Sequence, residues 1–245
     1  KPAPIGGPFW TSAGTSGSTY GYSAVARDLN LDGRADLIVG APGVFSGSGS
    51  VRIYYQTATG LPATPDVVIG GTWQYGFSVD AGDFDGDGTI DLAVGSILES
   101  PGGDRGTVRI YFGDQGYHEP AGLVLGNPGL EFLGNAVSMN VETVDVNGDG
   151  KDDLLVGAQS ANQNGGDSGA AALFLGRTNM STSPDAVFFG PTPGFLTTFG
   201  ASVALADITG DGRAEAIIGG PGYGTTGIGP NSSLNGRGTA VVFAN

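Results

Sequence analysis

The sequence contains one nine-residue acidic motif four times, and this repeat constrains the fold more than any other feature. The copies read DLNLDGRAD, DFDGDGTID, DVNGDGKDD and DITGDGRAE, and they begin at Asp28, Asp83, Asp145 and Asp207. Their starts are separated by 55, 62 and 62 residues. Each copy has oxygen-bearing side chains at positions one, three, five and nine and a glycine at position six. A period of this length indicates a tandem array of one supersecondary unit.

Apolar segments flank the motif at nearly constant distances. An aromatic-glycine pair, which begins at Tyr20, Tyr75 and Phe199, precedes three copies, and its glycine lies seven residues before the first aspartate. After the motif come LIVG, LAVG, LLVG and AIIG, then a variable Gly/Ser-rich stretch, then VRIYY, VRIYF, AALFL and AVVFA. The first three repeats add VVIG, LVLG and VFFG. Such short runs bounded by glycine are typical of strands, so each repeat predicts about four strands.

Four-stranded units of about sixty residues in tandem predict an all-β fold, a β-propeller of four-stranded antiparallel blades. One blade cannot bury both of its faces, so neighbouring blades must stack to form the core. We expect a single domain over residues 1–245, with repeats at approximately 11–70, 71–126, 127–190 and 191–245.

The first ten residues are expected to close the last blade. Ile5-Gly6-Gly7 and Trp10 repeat the pattern of Ile69-Gly70-Gly71 and Trp73, which ends the first repeat. The chain ends just after the third strand expected in the fourth repeat. The N-terminal segment is therefore a candidate for the missing strand of that blade.

Composition supports many short strands and disfavours several other classes of protein. Glycine (47) and proline (14) make up about a quarter of the 245 residues, while the hydrophobic share of 39% is close to that of globular proteins. Long helices are not expected, because every long window contains Gly or Pro. There is no cysteine for disulfides or thiolate metal sites. No apolar stretch approaches eighteen residues, so we expect no membrane insertion, and the first residues lack the pattern of a signal peptide.

The charge is strongly negative, and the acids are clustered. The formal net charge is −14, from 24 acids and 10 bases, and more than half of the acids lie in the four motifs. This surface would repel phosphate groups, so nucleic acid and anionic membranes are excluded as expected partners.

Alternating acidic residues in a short glycine-containing loop are the ligand pattern of calcium, which takes six to eight oxygens in flexible geometry. Without a cation, the grouped carboxylates would repel one another. Zinc is disfavoured because the chain has no cysteine and its one histidine, His118, lies far from every motif; magnesium keeps more of its waters. Up to four calcium ions are expected. The candidate ligands, at positions one, three, five, seven (through the carbonyl) and nine, are Asp28, Asn30, Asp32, Arg34, Asp36, Asp83, Asp85, Asp87, Thr89, Asp91, Asp145, Asn147, Asp149, Lys151, Asp153, Asp207, Thr209, Asp211, Arg213 and Glu215.

The four candidate sites are not equivalent. The second motif has four carboxylates, whereas the first and third have Asn30 and Asn147 at position three. The fourth has Thr209 and the longer Glu215, so we expect it to be the weakest site, or empty. Asp/Gly turns without metal are the simpler alternative for one copy, but four aligned copies disfavour it.

An EF-hand is the other alternative, since it shares the D-x-D-x-D-G opening. It requires a bidentate glutamate at position twelve and a helix on either side. Position twelve is instead Val39, Val94, Val156 or Ile218, each within an apolar run expected to be a strand. The sequence therefore excludes an EF-hand.

The aromatic-glycine pair, the acidic motif and the Gly-Ala-Pro triplet together resemble the FG-GAP repeat of integrin α-subunit propellers. Gly40-Ala41-Pro42 matches the triplet in full, Gly219-Gly220-Pro221 nearly so, and Gly157-Ala158-Gln159 and Gly95-Ser96-Ile97 in part. The resemblance implies a propeller with calcium loops on one face and ligand-binding loops elsewhere. The family commonly has seven blades, whereas four are readable in this sequence. The ring is therefore either unusually small, or part of a larger ring completed by another chain or by sequence beyond these 245 residues.

These observations predict a calcium-stabilised extracellular module, secreted or on the cell surface, that serves in binding, adhesion or assembly. The variable loops at 44–49, 97–105, 159–168 and 222–237 are the candidate binding loops. The expected partner is an extracellular protein or a glycan, and a homo-oligomer or a partner chain would complete the ring.

A carbohydrate-binding lectin with sugar sites between blades is the alternative function. Its candidate stacking residues are Trp10, Trp73, Phe45, Tyr117 and Tyr223, although packing between blades is the simpler interpretation of the two tryptophans.

An enzyme is not expected, because no thiol and only one histidine are present, and we interpret that histidine as an ordinary surface residue. Asn179-Met180-Ser181 and Asn231-Ser232-Ser233 match the N-glycosylation pattern.

Overall fold

The computed structural model describes residues 10–43, 48–97, 106–125, 142–159, 161, 168–190, 198–221 and 239–244. These residues form four antiparallel sheets. The first contains β1 (Ser23–Arg27), β2 (Asp36–Ala41), β3 (Gly49–Tyr54) and β4 (Val67–Gly71). The second contains β5 (Tyr75–Gly82), β6 (Asp91–Ser96), β7 (Thr107–Tyr111) and β8 (Leu123–Leu125), with a 3-10 turn at Gly113–Gln115. The third contains β9 (Glu142–Val144), β10 (Asp153–Ala158), β11 (Ala170–Phe174) and β12 (Ala186–Phe189), and the fourth β13 (Ser202–Ala206), β14 (Glu215–Gly220) and β15 (Thr239–Phe243).

Each sheet has its strands in sequence order, joined by antiparallel pairing. In the first sheet, for example, Ile38 lies opposite Val25 on one side and Ile53 on the other. The first three sheets have four strands and the fourth has three among the described residues. This up-and-down meander is the architecture of a propeller blade, so the predicted fold class and the predicted strands of each repeat are confirmed.

Neighbouring sheets stack face to face, and an apolar cluster fills each of the three interfaces. The reason lies in the period of two along each strand, which places apolar residues on both faces of the inner sheets. All residues of β6 and of β10 are buried. The interface between the first and second sheets contains Ile38, Val51, Val79 and Leu92. The interface between the second and third contains Ala93, Ile110, Leu154 and Val156, and that between the third and fourth contains Leu155, Ala171, Val203 and Ile218.

The aromatic-glycine pairs lie where one blade meets the next. Phe199 is fully buried and contacts the Phe243 ring edge-on, at 6.3 Å between ring centroids. Gly200 has a φ of +87°, and a Cβ added there would lie 2.0 Å from the carbonyl oxygen of Ala170 in the preceding blade. Only glycine meets both requirements, which explains the second residue of the pair.

The chain enters the first sheet rather than the fourth at the described start. The indole Nε1–H of Trp10 donates to the carbonyl oxygen of Pro62 at 3.0 Å, and the Trp10 ring packs edge-on against Tyr54. Residues 1–9 lie outside the described part of the chain, so closure of the last blade by this segment stays a prediction. The described strands form four separate sheets, none of which closes on itself. No helix among the described residues has the length and apolar character needed to cross a membrane.

Candidate metal centre

Each acidic motif forms the loop between the first and second strands of its sheet. We name these loops 1 to 4, for residues 28–36, 83–91, 145–153 and 207–215. The ninth residue of each loop is the first residue of the second strand, so all four loops lie at the same end of their sheets. Position twelve lies inside β2, β6, β10 or β14, and this confirms that the loops are not EF-hands.

The aspartate at position one folds its own loop around its carboxylate. In loop 2, Oδ1 of Asp83 accepts the N–H groups of Gly86 and Asp87 at 2.7 and 3.1 Å, and Oδ2 accepts that of Gly88 at 3.0 Å. Asp145 and Asp207 accept the equivalent three bonds. The N–H bonds, with that from Gly212 the largest contribution, lower the pKa of Asp207. Burial opposes this effect at Asp145, but its N–H bonds still hold the pKa below the ordinary value.

Positions three and five continue the same pattern of carboxylate or amide oxygens facing backbone N–H groups. Oδ1 of Asp85 accepts the N–H of Asp87 at 3.1 Å, and Oδ1 of Asp87 accepts both the N–H and the hydroxyl of Thr89, at 2.7 and 2.6 Å. The bonds from the Thr89 hydroxyl and N–H lower the pKa of Asp87. Asn30 and Asn147 use their amide oxygens as Asp85 uses its carboxylate.

The carboxylate at position nine is buried and connects three parts of its blade. In loop 2, Oδ2 of Asp91 accepts the N–H of Phe84 at 2.9 Å, and Oδ1 accepts that of Gly113, just after β7, at 2.9 Å. Asp36 and Asp153 make the same pair of bonds in their blades. Desolvation by burial raises the pKa of Asp91 to about 7 and that of Asp153 to about 6. A nearby cation would offset this cost of ionisation.

Position two anchors loops 1 to 3 to the core between blades. Leu29, Phe84 and Val146 belong to the three interface clusters, and each donates its N–H to the position-nine carboxylate of its own loop. The conformation of the loop and the packing of the next blade are therefore linked by a single residue. The equivalent Ile208 is 55% exposed, because no described blade follows the fourth.

Loop 2 brings three carboxylates together. One oxygen from each of Asp83, Asp85 and Asp91 lies within 4.8 Å of the other two. Calcium–oxygen distances are about 2.3–2.6 Å, so ligands on opposite sides of one ion are at most about 5 Å apart, and this group fits calcium. Asp87, expected to be a fourth ligand, is outside the group and is bonded to Thr89 instead.

Loops 1 and 3 have the backbone geometry of loop 2 with an amide at position three. In the described part of the chain, loop 2 is the one place where three carboxylates come so close. The asparagine oxygens of loops 1 and 3 are nevertheless suitable calcium ligands and carry less charge. In loop 1, Asp32 also forms an ion pair with the Arg34 guanidinium at 2.9 Å.

Loop 4 differs because its longer position-nine side chain turns back into its own loop. Oε2 of Glu215 accepts the N–H groups of Ile208 and Thr209 at 2.9 and 3.2 Å, and Oε1 accepts the Thr209 hydroxyl at 3.3 Å. Two of the expected ligand side chains are thus bonded to each other. In the first blade, the position-nine carboxylate of Asp36 also accepts the N–H of Gln56. The residue at the same place in the fourth blade is Asn245, which lies outside the described residues.

One residue important to the site was not identified from the sequence. Asp152, at position eight of loop 3, bonds to the backbone of Asp83 in loop 2. The sequence offers one signal for it: loop 3 has an acidic residue at position eight, whereas the other loops have Ala35, Ile90 and Ala214 there.

The residues proposed for sugar stacking have different environments. Trp73 is 47% exposed, so the simpler interpretation, that it packs between blades, is wrong for this residue. Trp10 is partly buried and its indole N–H is hydrogen-bonded. Tyr117 is buried with its hydroxyl bonded to the carbonyl oxygen of Ile90, so it offers no free ring face to a sugar. Phe45 and Tyr223 lie outside the described residues, as do most of the four variable loops.

The remaining candidates from the sequence lie at the surface or outside the described residues. His118 is exposed, as expected. Asn179 lies in an exposed turn, and Asn231 is outside the described residues.

Comparison with known proteins supports the same family for most of the chain. A family model described as an FG-GAP-like repeat matches residues 28–94 and 145–218, and a second, described as an FG-GAP repeat, matches residues 199–243. Integrin alpha-IIb of Homo sapiens is 34% identical over 161 residues, which are 60% of this chain and 15% of that protein. Phosphatidylinositol-glycan-specific phospholipase D of Homo sapiens is 31% identical over 184 residues, 66% of this chain and 21% of that protein.

The similarity of fold extends further than the similarity of sequence. The rhamnogalacturonan lyase of Bacillus licheniformis superimposes with a TM-score of 0.50 at 14% identity, over 80% of this chain and 39% of the lyase. At this identity the likeness concerns the fold alone. The chain spans about a fifth or less of the length of the integrin and phospholipase relatives. Because the FG-GAP-like model matches more than half of the residues, including all of loops 1 to 4, the chain belongs to the FG-GAP repeat family.

Proposed function

We propose that this chain is a calcium-stabilised extracellular binding module of the integrin α-like type. The observation that carries the proposal is the convergence of Asp83, Asp85 and Asp91 in loop 2 at a spacing that fits one calcium ion. The repetition of the same backbone pattern in the other loops and the FG-GAP family membership support it. Calcium would supply fixed positive charge at the strand junctions, and the chain's own residues would hold the loops in shape.

Loops 1, 2 and 3 are the proposed calcium sites, and loop 4 is proposed to stay empty. In loops 1 to 3, the position-nine aspartate has each oxygen bonded to one backbone N–H, which leaves a further lone pair on each oxygen. In loop 4, Glu215 is bonded to Thr209 through both oxygens, so opening this contact would oppose binding.

Native mass spectrometry of metal-free protein titrated with calcium tests this assignment. We expect three ions per chain at millimolar calcium, because that is the affinity of extracellular modules. The paired substitution Asp83→Asn and Asp85→Asn is expected to reduce the number to two. Asp114→Asn, which removes a nearby exposed acid, is the matched control and should leave three ions bound. Absence of bound calcium would contradict the proposal.

An extracellular location follows from the affinity proposed for these sites. Cytosolic calcium is far below the dissociation constants of about 0.1–1 mM that such modules have, so the sites would be empty inside a cell. The proposed role is binding and not catalysis. The chain has no cysteine and one histidine, and the clustered carboxylates are assigned to metal binding. Few residues therefore remain that could act as a general acid, a general base or a nucleophile.

The variable loops are the proposed site for an extracellular protein partner. They follow β2, β6, β10 and β14, whose first residues are the position-nine acids of the metal loops. The metal loops and the variable loops are therefore at opposite ends of the same strands. Calcium could stabilise the blades without occupying the surface that meets a partner, and loops that vary on a repeated scaffold are typical binding elements.

A glycan partner is the second candidate, and one observation favours it. Trp73 is 47% exposed in the connection between the first and second sheets, and its φ of +58° is strained for a bulky residue. A half-exposed indole is suited to stacking on a sugar ring. A glycan array separates the two candidates, since sugar binding that is lost on Trp73→Ala would favour the lectin.

We also propose that a second copy of the chain completes the ring in solution. The first and fourth blades each have a face with exposed residues, and the equivalent residues of the inner blades are buried. In the fourth blade, Ile208 and Val242 are 55% and 47% exposed, whereas the equivalent Phe84 and Ile110 are fully buried against the third blade. This free face matches the surface that each inner blade presents to its successor.

The first blade presents the complementary free face. Ala24 and Ala26 of β1 are exposed, whereas Val79 and Ala81, at the same positions of β5, are buried against the first blade. A head-to-tail contact between two copies would repeat the interface that already joins neighbouring blades. Light scattering is expected to give a mass of about twice 24.5 kDa, and Val242→Glu should shift it to the monomer. A monomeric wild-type chain would contradict this proposal.

A further inference from the structure

Loops 2 and 3 belong to different blades, but they are directly bonded to each other. The N–H of Asp152 donates to the carbonyl oxygen of Asp83 at 2.9 Å, and the N–H of Asp83 donates to Oδ2 of Asp152 at 3.0 Å. We call this pair of bonds the clasp. Both backbone groups of the residue that supplies position one of loop 2 are therefore held by one residue of loop 3.

The two loops pack closely around the clasp. A Cβ added at Gly82 would lie 2.6 Å from Oδ2 of Asp152, and one at Gly86 would lie 2.7 Å from Cε of Lys151. A Cβ at Gly176 would lie 2.4 Å from the carbonyl oxygen of Asp152. The Lys151 side chain can move, but the contact at Gly176 is with backbone and the contact at Gly82 is with the Asp152 carboxylate. Glycine at Gly82 and Gly176 therefore allows the two loops to lie this close, so a shift of one loop is transmitted to the other.

The clasp needs an acceptor side chain at position eight, and only loop 3 has one. The equivalent residues are Ala35, Ile90 and Ala214, none of which has a side-chain oxygen. The side-chain half of the clasp therefore cannot form from loops 1, 2 or 4. Any energetic coupling between loops that depends on this side-chain bond is therefore specific to the pair of loops 2 and 3.

We propose that loops 2 and 3 bind calcium cooperatively through the clasp, with Asp152 as the positioning residue. The inference rests on the proposed function, that both loops bind calcium. Asp152 lies between Lys151 and Asp153, at positions seven and nine, whose carbonyl and carboxylate are candidate ligands of loop 3. An ion in loop 3 fixes the chain on both sides of Asp152, which in turn fixes Asp83 for an ion in loop 2. By linkage, the effect is equal in the opposite direction.

Site-resolved calcium titration by two-dimensional amide NMR of the full chain tests the proposal. The position-six amides report on their own loops, since Gly88 donates to Asp83 at 3.0 Å and Gly150 to Asp145 at 2.7 Å. Asp149→Lys places a cation in loop 3 at an exposed position and blocks its site. We expect this substitution to weaken calcium binding at Gly88 by about fivefold, the lower end of typical coupling between sites. Asp211→Lys, the same change at position five of loop 4, is the matched control and should alter it by less than about twofold.

The role of the clasp is separated from long-range charge repulsion by repeating the measurement in a second background. In Asp152→Ala, the effect of Asp149→Lys on Gly88 is expected to fall below about twofold, because the side-chain bond is absent. In Asp152→Asn, which keeps an acceptor oxygen and a folded backbone, the coupling should largely remain. An undiminished fivefold effect in Asp152→Ala would mean that charge acts through space, and it would overturn the proposal.

The outcomes also distinguish failure of this inference from failure of the proposed function. If Gly33, Gly88 and Gly150 do not respond to calcium, the loops are not calcium sites and the proposed function fails. If Gly88 and Gly150 respond but Asp149→Lys leaves the Gly88 midpoint unchanged, calcium binds independently and only the coupling is wrong.

Discussion

Removal of calcium with EGTA is expected to lower the Tm of this protein by about 10 °C. At a free calcium concentration about tenfold above the dissociation constant, each site stabilises the folded state by about 1.4 kcal/mol. Three sites then contribute about 4 kcal/mol, a large fraction of the stability of a typical domain. For a chain of this size, each kcal/mol corresponds to about 2–4 °C in Tm.

The physical cause of this large effect is the charge of the loops. Three divalent ions would bring the formal charge from −14 to −8. Without them, Asp83, Asp85 and Asp91 would repel one another at close range. Calorimetry should show recovery of the original Tm when excess calcium is added back to the EGTA-treated protein, and little recovery with magnesium. A melting curve that is the same with calcium and with EGTA would refute a stabilising role.

Most of the scaffold could be predicted from the sequence because its signals are local and repeated. Apolar runs such as LIVG and VRIYY alternate with glycine-rich turns, and they became β2 and β3 in the expected order. The loops also lie where the motif predicts, between the first two strands of each sheet. Four copies make such signals reliable, since an accidental pattern would not recur at a constant spacing.

The contacts between loops and between distant segments could not be predicted. The motif predicts the Asp91 carboxylate as a metal ligand, but it does not predict that both of its oxygens accept backbone N–H groups, one of them 22 residues later at Gly113. The clasp from Asp152 to Asp83 spans 69 residues and depends on how two blades stack. Trp73 was given a packing interpretation by analogy with Trp10, but its left-handed backbone places it at the surface. Spacing along the chain carries no information about such tertiary geometry.

Asp91→Asn is expected to lower the free energy of unfolding by about 3 kcal/mol when calcium is present. Asn keeps one acceptor oxygen but presents an NH₂ group to the second backbone N–H, so a buried charge-assisted hydrogen bond worth about 1.5–3 kcal/mol is lost. The substitution also removes a calcium ligand. Asp114→Asn, which removes the same charge from an exposed residue of the 3-10 turn, should change stability by less than about 0.5 kcal/mol. Equal effects of the two substitutions in urea unfolding would contradict the role assigned to Asp91.

The pH dependence of the calcium-free protein provides a second signature of the same residue. Burial raises the folded-state pKa of Asp91 to about 7, above the unfolded value of about 3.9, so the folded state favours the neutral acid. Calcium-free wild-type protein should therefore lose stability as the pH rises from about 4 to 7, and the loss should be complete above pH 7. Asp91→Asn has no such group and should retain a smaller dependence, from Asp153, whose pKa is about 6, and from Asp36 and Asp85, whose pKa values burial also raises. Calcium should flatten the wild-type profile, since the ion stabilises the ionised form. The substitution should therefore cost less in EGTA at pH 8 than in calcium at the same pH, and urea unfolding of both proteins under the two conditions measures this difference.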